Sequence, residues 1–162
     1  MSPSGSGLPA AARRVQAALD AFALDCRVTE LPVAARTSEQ AVAALGIEVG
    51  CIAKSLVFRG AVSSRPVLVI AAGDRRVDET RVARALGEPI ARATPDFVRE
   101  HTGFAIGGVA PIGHPTALPT FVDTSLRRFA TVWAAGGTPH CVFPIAPADL
   151  IAASGGHEID IC

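Results

Sequence analysis

Apolar side chains recur at helical spacing in some segments of the chain and form strand-like patterns in others. In the first segment, Val15, Leu19 and Phe22 share one helical face and the arginines lie elsewhere. Residues 66–72 are apolar throughout, as is typical of a central strand, and residues 60–65 join them to the preceding strand at hairpin length. The predicted helices are residues 10–24, 38–45, 78–86, 95–101 and 147–153, and the predicted strands are residues 26–31, 54–59, 66–72, 88–93, 120–123, 131–134, 140–143 and 157–161.

Residues with a preference for helix ends support these boundaries. Thr37 and Gln40 have the spacing of a capping box, and Pro95 stands at the first helical position, which proline prefers. Gly46 and Gly87 follow the last apolar residue of their helices, as helix-ending glycines do. Helices interrupt the strands irregularly, and hairpins are mixed with crossovers. This order predicts an α+β (mixed α/β) fold with a mixed sheet flanked by helices.

The composition is that of one compact domain. The chain has 162 residues, of which 49% are apolar and 19% charged, and this excludes intrinsic disorder. We expect a flexible polar tail over residues 1–9 and a single domain over residues 10–162. The longest apolar stretch, residues 66–73, is too short to cross a bilayer, so no membrane association is expected.

Charge and cysteine usage narrow the possible partners and the compartment. Fifteen basic residues balance fifteen acidic ones, which argues against a DNA-coating protein, although 13 of the basic residues lie in residues 1–100. The four cysteines have neither a C-x-x-C nor a zinc-site spacing, and no secretory signal precedes them. We therefore expect a cytoplasmic protein with reduced thiols and without a metal or cofactor.

Lys54 is the only lysine of the chain, whereas the other 14 basic residues are arginines. A lysine kept in such a chain indicates a position where a compact ammonium serves and a planar guanidinium does not. Lys54 opens an apolar strand, so the alternative is a lysine that lies at a strand end and extends its ammonium to solvent. No motif for a nucleophile elbow, a phosphate loop or a dinucleotide site accompanies it.

The segment of residues 102–114 contains four glycines and one proline but no charged residue before His114. Gly107, Gly108 and Gly113 allow the backbone to approach a ligand and to direct its N–H groups at an anion or oxyanion, and Pro111 would stiffen the loop. The alternative is a tight connection without a functional role. A second glycine turn, residues 134–139, allows the same two interpretations.

Six stretches of the chain resemble the YbaK/prolyl-tRNA-synthetase editing-domain family of aminoacyl-tRNA deacylases, in the order in which that family has them. They are RTSE at residues 36–39, IAKSLVF at 52–58, VIAAGD at 69–74, TGFAIGGVAPIG at 102–113, FVDTSL at 121–126 and VWAAGGTP at 132–139. The resemblance extends over about residues 10–162 and implies a barrel-like mixed sheet. It also implies hydrolysis of the ester between a mischarged amino acid and tRNA.

The same resemblance assigns roles to individual residues. Lys54 would hold the phosphate of the terminal adenosine, and the loop from Gly107 to Gly113 would orient the ester carbonyl and the attacking water. The terminal ribose hydroxyl, or a substrate thiol, would take the place of a general base. The implied catalytic residues are Lys54, Gly107, Gly108, Pro111 and Gly113, and the implied substrate-binding residues are Thr37, Ile106, Val109, His114, Asp123, Ala135 and Gly136.

One departure from the family bears on the substrate. The cysteine-specific members have Ser-Ala-Gly where this chain has Ala134-Ala135-Gly136, which argues against cysteine and favours alanine, serine or a similarly small residue. Asp123 is also interpreted as the cap of the turn that follows it, and His114 as a loop histidine with its hydrogen bonds satisfied.

Three functions remain open on the sequence. The first is a free-standing deacylase that binds the acceptor end of mischarged tRNA, with transient contact to an aminoacyl-tRNA synthetase. The second is a non-catalytic tRNA-end binder or regulatory module on the same fold, and the third is a hydrolase of a small acylated nucleotide.

Overall fold

A computed structural model describes residues 7–162. Residues 1–6, which make up most of the predicted tail, lie outside the described residues. Within the described part, the helices are α1 (Ala10–Ala21), α2 (Ser38–Leu45), α3 (Glu79–Leu86), α4 (Pro95–Thr102) and α5 (Pro147–Ser154). The strands are β1 (Thr29–Glu30), β2 (Ile52–Gly60), β3 (Pro66–Ala72), β4 (Ile90–Arg92), β5 (Thr120–Asp123), β6 (Val132–Ala135), β7 (Cys141–Ile145) and β8 (His157–Ile159).

The strands form one mixed sheet in the order β1-β7-β6-β2-β3-β5-β8, with β4 paired to β2. The hairpin of β2 and β3 is antiparallel, with Ala53 opposite Ala72 and Arg59 opposite Pro66, as its connection length predicts. The pairs β2–β6, β3–β5 and β5–β8 are parallel. The predicted mixed α/β fold with a mixed sheet is therefore confirmed.

The two faces of the sheet pack into separate apolar clusters, as the strand period of two requires. On β3, Leu68 and Ile70 point into the larger cluster, which includes Val15 of α1. Val67 and Val69 point into a smaller cluster that contains side chains of α3. Helices thus cover both faces, and β3 is fully buried between them, as its uninterrupted apolar sequence predicts.

One edge of β2 is only partly paired. β3 follows one edge along almost its whole length, whereas the other edge meets β6 at Ile52 and Ala53 and β4 from Phe58 to Gly60. Between these two pairings, residues 54–57 have no strand partner on that edge within residues 7–162. The sheet is therefore open beside Lys54.

Two predicted elements are shorter in the structure because side chains replace the expected backbone pairing. The predicted strand at residues 26–31 is reduced to β1, since the amide of Gln16 donates to the Cys26 carbonyl and accepts from the Val28 N–H. The last strand ends at Ile159 and not at residue 161, because the N–H of Ile161 binds the Asp123 carboxylate. The first helix ends at Ala21, before a residue with positive φ, Ala23.

The predicted cap at Thr37 is confirmed, but the Gln40 side chain binds the N–H of the residue before the cap and not that of Thr37. The Thr37 hydroxyl accepts the N–H of Gln40 at 3.2 Å, and the Gln40 side chain accepts the N–H of Arg36 at 2.8 Å. These two bonds fix the chain as it enters α2. No helix in residues 7–162 has the length and apolar character needed to span a membrane.

Candidate functional site

A cavity of about 270 Å³ opens at the unpaired edge of β2. Three other segments complete its wall: the entry to α2, the glycine loop after α4, and the end of β6 with the start of β7. The lining residues are Ala35, Arg36, Thr37, Ser38, Ala41, Ile52, Ala53, Lys54, Ser55, Leu56, Gly107, Val109, Trp133, Ala134, Ala135, Cys141 and Val142.

Backbone hydrogen bonds hold these segments against one another. The N–H of Ala35 binds the carbonyl of Pro139 at 2.6 Å, which ties the entry to α2 to the turn between β6 and β7. In that same turn, the N–H of Gly136 binds the carbonyl of Cys141 at 2.6 Å. The wall of the cavity is thus made of backbone segments that are already joined before any ligand binds.

The glycine loop approaches the β6–β7 turn too closely for a side chain. A Cβ on Gly108 would lie 2.7 Å from the Cα of Thr138 and 3.0 Å from the Gly137 carbonyl oxygen. Gly107 has a φ of +94°, and a Cβ there would lie 3.1 Å from the Arg36 side chain. Glycine is required at both positions, at Gly108 by close backbone contact and at Gly107 by its backbone conformation.

The loop also presents free N–H groups. The N–H of Gly108 is committed to the Ala105 carbonyl at 3.0 Å. The N–H groups on either side of it, those of Gly107 and Val109, have no hydrogen-bond partner within residues 7–162. Both residues line the cavity, so their N–H groups are the backbone candidates for binding an oxygen there.

Lys54 lies on the rim of the cavity with its ammonium already oriented. Its Nζ donates to the carbonyl of Arg75 at 2.6 Å. Arg75 belongs to the turn after β3, where Asp74 accepts a bidentate pair from Arg128 at 2.7 and 2.9 Å. The Arg128 guanidinium holds the pKa of Asp74 below its usual range. Asp74 and Arg128 therefore brace the turn that positions the Lys54 ammonium.

The lining of the cavity is mostly apolar and carries no negative charge. No carboxylate is among its lining residues within residues 7–162, and its charged groups are Arg36 and Lys54. Burial raises the pKa of the Cys141 thiol, so this side chain stays neutral as well. The cavity therefore offers counter-charges to an anionic group and none to a cationic one.

Ser55, another of the lining residues, carries a buried hydroxyl. Its Oγ is buried and, within residues 7–162, has no hydrogen-bond partner. Ser55 faces the larger apolar cluster together with Ala53, because alternate residues of β2 share one face. Buried hydroxyls without a partner are rare in proteins.

The glycine loop is divided between two cavities. Pro111, Gly113 and His114 line a separate cavity of about 300 Å³ between the loop and α5. The His114 ring nitrogen Nε2 lies 2.8 Å from the Ala110 carbonyl oxygen, and burial lowers the pKa of this histidine. The structure therefore does not bring these three residues together with Lys54, and His114 has the satisfied hydrogen bond of a structural residue.

Three other predicted substrate-binding residues lie outside the lining of the first cavity. Asp123 is buried and accepts hydrogen bonds from the Ser125 and Ile161 N–H groups, which supports the capping interpretation. Gly136 is buried behind Ala135 against the Val28 side chain. Ile106 is 54% exposed beside the loop. The predicted residues that do line this cavity are Thr37, Lys54, Gly107, Val109 and Ala135.

Sequence reasoning assigned no role to several lining residues. Arg36 and Ser55 lie in two of the stretches that resemble the family, and this resemblance could have identified them as candidate site residues. Trp133 is half-buried and forms part of the cavity wall. No cluster of three His, Cys, Asp or Glu side chains that could bind a metal ion occurs in residues 7–162.

The sequence of the chain is similar to sequences of known proteins. The sequence pattern of the aminoacyl-tRNA editing domain family matches residues 33–153. The Bacillus subtilis protein YwhH is 36% identical over 136 residues, which cover 83% of this chain and 86% of YwhH. The Enterococcus faecalis protein named "Putative Cys-tRNA(Pro)/Cys-tRNA(Cys) deacylase EbsC" is 25% identical over 126 residues, 77% of this chain and 76% of that protein.

A solved structure is similar over nearly the whole chain. It is described as the crystal structure of "a putative trans-editing enzyme for prolyl tRNA synthetase" and is 45% identical in sequence to this chain. Its TM-score is 0.89, and the match covers 96% of this chain and 98% of that one.

Proposed function

The chain belongs to the aminoacyl-tRNA editing domain family, and from this membership and the geometry of the cavity we propose that it is a hydrolase that removes a small amino acid from mischarged tRNA. The observation that carries the proposal is the cavity at the edge of β2. It brings together an oriented ammonium, two residues whose backbone N–H groups have no partner within residues 7–162, and a mostly apolar lining without a carboxylate.

The size of the cavity supports a small acyl group. Pockets for drug-sized ligands measure about 300–1,000 Å³, and this cavity, at about 270 Å³, lies just below that range. It holds the aminoacyl group with part of the terminal ribose, and the rest of the tRNA remains outside. Contact with the protein is then confined to the acceptor end, in keeping with the net charge of zero.

Lys54 binds a phosphate oxygen of the terminal adenosine in this proposal. Its ammonium is a compact charge with three donors, and one of them is used by the Arg75 carbonyl. The remaining donors are available to a phosphate at the rim. Arg36 lies on the same rim, is exposed and forms no ion pair within residues 7–162, so it can contact a second anionic oxygen.

The Gly107 and Val109 N–H groups bind the carbonyl oxygen of the ester. Negative charge develops on this oxygen as water adds to the carbonyl carbon, and fixed N–H donors stabilise it without reorganisation. The bond between the carbonyl carbon and the ribose oxygen then breaks, which releases the amino acid and leaves the ribose hydroxyl. The attacking water passes its proton to the neighbouring ribose hydroxyl, which in turn passes its own proton to the departing ribose oxygen, because the cavity lining within residues 7–162 offers no carboxylate or histidine.

We further propose that the protein acts in trans in the cytoplasm and contacts an aminoacyl-tRNA synthetase transiently. The match with YwhH supports action in trans, because it extends over 86% of a separate protein. The structural neighbour named for prolyl tRNA synthetase supports proximity to such an enzyme.

A deacylation panel tests the function. Each aminoacyl-tRNA is incubated with the protein under single-turnover conditions, and the release of amino acid is followed over time. We expect hydrolysis of tRNA that carries a small amino acid and none of tRNA that carries a large one. Binding without hydrolysis of any substrate would favour the non-catalytic binder, and hydrolysis of aminoacyl-adenosine as fast as of tRNA would favour a nucleotide hydrolase.

Lys54 variants test the mechanism in the same assay. Replacing Lys54 by alanine removes a charge-assisted contact worth about 1.5–3 kcal/mol, which corresponds to a loss of about 10- to 100-fold in kcat/KM. Lys54→Arg keeps the charge but changes its shape, so we expect partial activity. A Lys54→Ala protein that melts like the wild type and hydrolyses at the wild-type rate contradicts the phosphate-binding role.

A further inference from the structure

The face of the sheet that carries Lys54 also carries Trp133. Ile52 of β2 pairs with Trp133 of β6, and paired residues point to the same face of a sheet. Lys54 lies two residues beyond Ile52 and therefore shares that face. Adjacent strands lie about 4.8 Å apart and two residues span about 6.6 Å along a strand, so the Cα atoms of Lys54 and Trp133 are about 8 Å apart.

This face of the sheet forms much of the cavity wall. In β7, Val142 is opposite Ala135 and Pro144 is opposite Trp133, so their side chains point to the same face. The lining residues that point to this face are Ile52, Lys54, Leu56, Trp133, Ala135 and Val142. The Trp133 side chain therefore lies on the side of the sheet where the cavity is, with Ile52 and Pro144 beside it on the neighbouring strands.

The indole of Trp133 is accessible and has no partner of its own. The side chain is only half-buried, and within residues 7–162 it forms neither an aromatic pair nor a cation–π contact. Its Nε1 has no hydrogen-bond partner there either. The enclosed side-chain polar atom without a partner in that part of the chain is Ser55 Oγ, so the Trp133 Nε1 is reached by solvent.

The arrangement around Ala135 matches the three branches of a terminal nucleotide. A ribose carries its base, its 5′-phosphate and the aminoacyl ester on different carbon atoms. Trp133 precedes Ala135 on β6, and Lys54 lies beside Ala135 where the β2–β6 register is continued. The glycine loop contacts the turn that follows Ala135, since Gly108 packs against Thr138. The small side chain of Ala135 leaves room for the ribose between these three groups.

We infer that Trp133 binds the terminal adenine of the tRNA by stacking its indole on the base. The inference rests on the proposed function, because it takes the phosphate of the same nucleotide to be at Lys54. The two rings bury apolar faces against each other, and Ile52 and Pro144 hold the indole in place from either side. The half-buried indole leaves part of the base in solvent while the aminoacyl group lies inside the cavity.

Stacking of this kind has a measurable size. A base stacked on an aromatic side chain contributes to binding about ten- to a hundredfold, as judged by removal of the aromatic ring. We therefore expect a ligand with the base to bind at least about tenfold more tightly than the same ligand without it. Replacement of Trp133 by leucine should abolish this difference.

Binding is measured with two compounds that cannot be hydrolysed, so that the readout does not depend on catalysis. The first probe is the 5′-phosphate of 3′-alanylamino-3′-deoxyadenosine, in which an amide replaces the ester. The second probe is the same compound with hydrogen in place of the adenine. Calorimetry gives the Kd of each probe, and the ratio of the two Kd values reports the contribution of the base alone.

The fluorescence of the protein reports on the same contact directly. Trp133 is the only tryptophan, and the chain contains no tyrosine, so the indole emission of the protein comes from this residue alone. A base stacked on the ring should quench this emission. We expect the adenine probe to quench it with the Kd found by calorimetry, and the probe without a base to leave it unchanged.

Three variants test whether the effect belongs to Trp133. Trp133→Leu removes the aromatic ring and should bring the Kd ratio to about one, whereas Trp133→Phe keeps a smaller ring and should keep the ratio clearly above one. The matched control is Phe58→Leu, which removes another half-buried ring from the same face of β2 but outside the cavity lining. This control should lose stability and keep both the ratio and the quenching. All measurements are made well below the Tm of each protein.

Several results would overturn the inference. They are equal Kd values of the two probes in the wild type, no binding of either probe, quenching by the probe without a base, and a ratio that stays near ten in Trp133→Leu. A loss of affinity in Trp133→Leu that is equal for the two probes would place the indole against the ribose or the acyl group, and this would also overturn it. If Trp133→Leu does not fold, the wild-type ratio, the quenching and the Trp133→Phe variant still decide the question.

The turnover assay separates this inference from the proposed function. Hydrolysis of aminoacyl-tRNA by a protein that binds both probes equally would leave the hydrolase standing and reject the stacked adenine. Base-dependent binding and quenching in a protein that hydrolyses no ester would support the stacked adenine and reject the hydrolase.

Discussion

Replacement of Gly108 by alanine is the perturbation for which the structure gives the most specific expectation. The added Cβ would lie 2.7 Å from the Cα of Thr138 and 2.8 Å from its carbonyl carbon, whereas ordinary contacts begin at 3.4 Å. Both neighbours are backbone atoms of the β6–β7 turn, so neither can rotate away. The glycine loop must therefore move away from the turn.

This movement displaces the groups on which catalysis depends. Gly107 and Val109 flank the substituted residue, and their free N–H groups are proposed to bind the ester oxygen. A misplacement of about 1 Å can cost on the order of 100-fold in rate. We expect Gly108→Ala to lower the single-turnover rate by about 10- to 100-fold and to reduce the unfolding free energy by about 1–3 kcal/mol, as overpacking does.

The assay compares Gly108→Ala with Gly87→Ala. Gly87 ends α3 with a φ of +91°, and a Cβ added there would meet no atom within 4 Å, so alanine at this position adds backbone strain of about 1–2 kcal/mol without a collision. Both variants lose stability, but only Gly108→Ala should lose activity in the folded protein. Rates are measured well below both Tm values. Equal rates in the two variants would refute the assignment of the glycine loop to the ester.

Two further predictions concern charge. Burial raises the pKa of Asp123, but hydrogen bonds from Ser125 and Ile161 outweigh this effect and hold the pKa below its usual range. Ionised Asp123 therefore stabilises the folded protein above about pH 4. This stabilisation is lost as the pH falls through the lowered pKa. Asp123→Asn should lower the unfolding free energy at pH 7 by about 1–3 kcal/mol. The unfolding free energy of the variant should also fall less steeply than that of the wild type between about pH 5 and 3. Urea unfolding of both proteins across that pH range measures the difference. The logarithm of the tRNA affinity should fall with the logarithm of salt at a slope of about 0.7 per phosphate, and a slope that indicates six or more phosphates would contradict contact confined to the acceptor end.

Local signals in the sequence predict the elements that depend on nearby residues. β3 matches its predicted bounds, because an uninterrupted apolar run needs burial on both faces wherever it lies. The cap at Thr37 and the proline at the start of α4 are likewise set by residues within one turn. The shortened strand β1 is different, since Gln16 of the preceding helix α1, 10 and 12 residues from Cys26 and Val28, takes the hydrogen bonds that a neighbouring strand would have made.

The same distinction applies to the candidate site. The single lysine and the glycines at residues 107 and 108 are visible as patterns, and the structure places Lys54 and Gly107 on one cavity. The sequence treats residues 107–113 as one loop, but buried Val109 and Ala110 anchor its centre. Pro111 and Gly113 therefore face a different cavity. The sequence could not show that the Ser55 hydroxyl is buried without a hydrogen-bond partner within residues 7–162, because that depends on its surroundings in three dimensions.

The open edge of β2 explains why two consecutive residues of one strand line the same cavity. Successive side chains of a strand point to opposite faces, so Lys54 and Ser55 cannot lie on the same side of the sheet. Both nevertheless line the cavity, because β6 and β4 leave the edge between them unpaired and the cavity extends around it. We propose that Lys54 holds the phosphate at this edge, which leaves the ester carbonyl to the glycine loop. Gly107 and Val109 line the same cavity, and their N–H groups have no hydrogen-bond partner within residues 7–162, so these two groups are the donors proposed for the carbonyl oxygen.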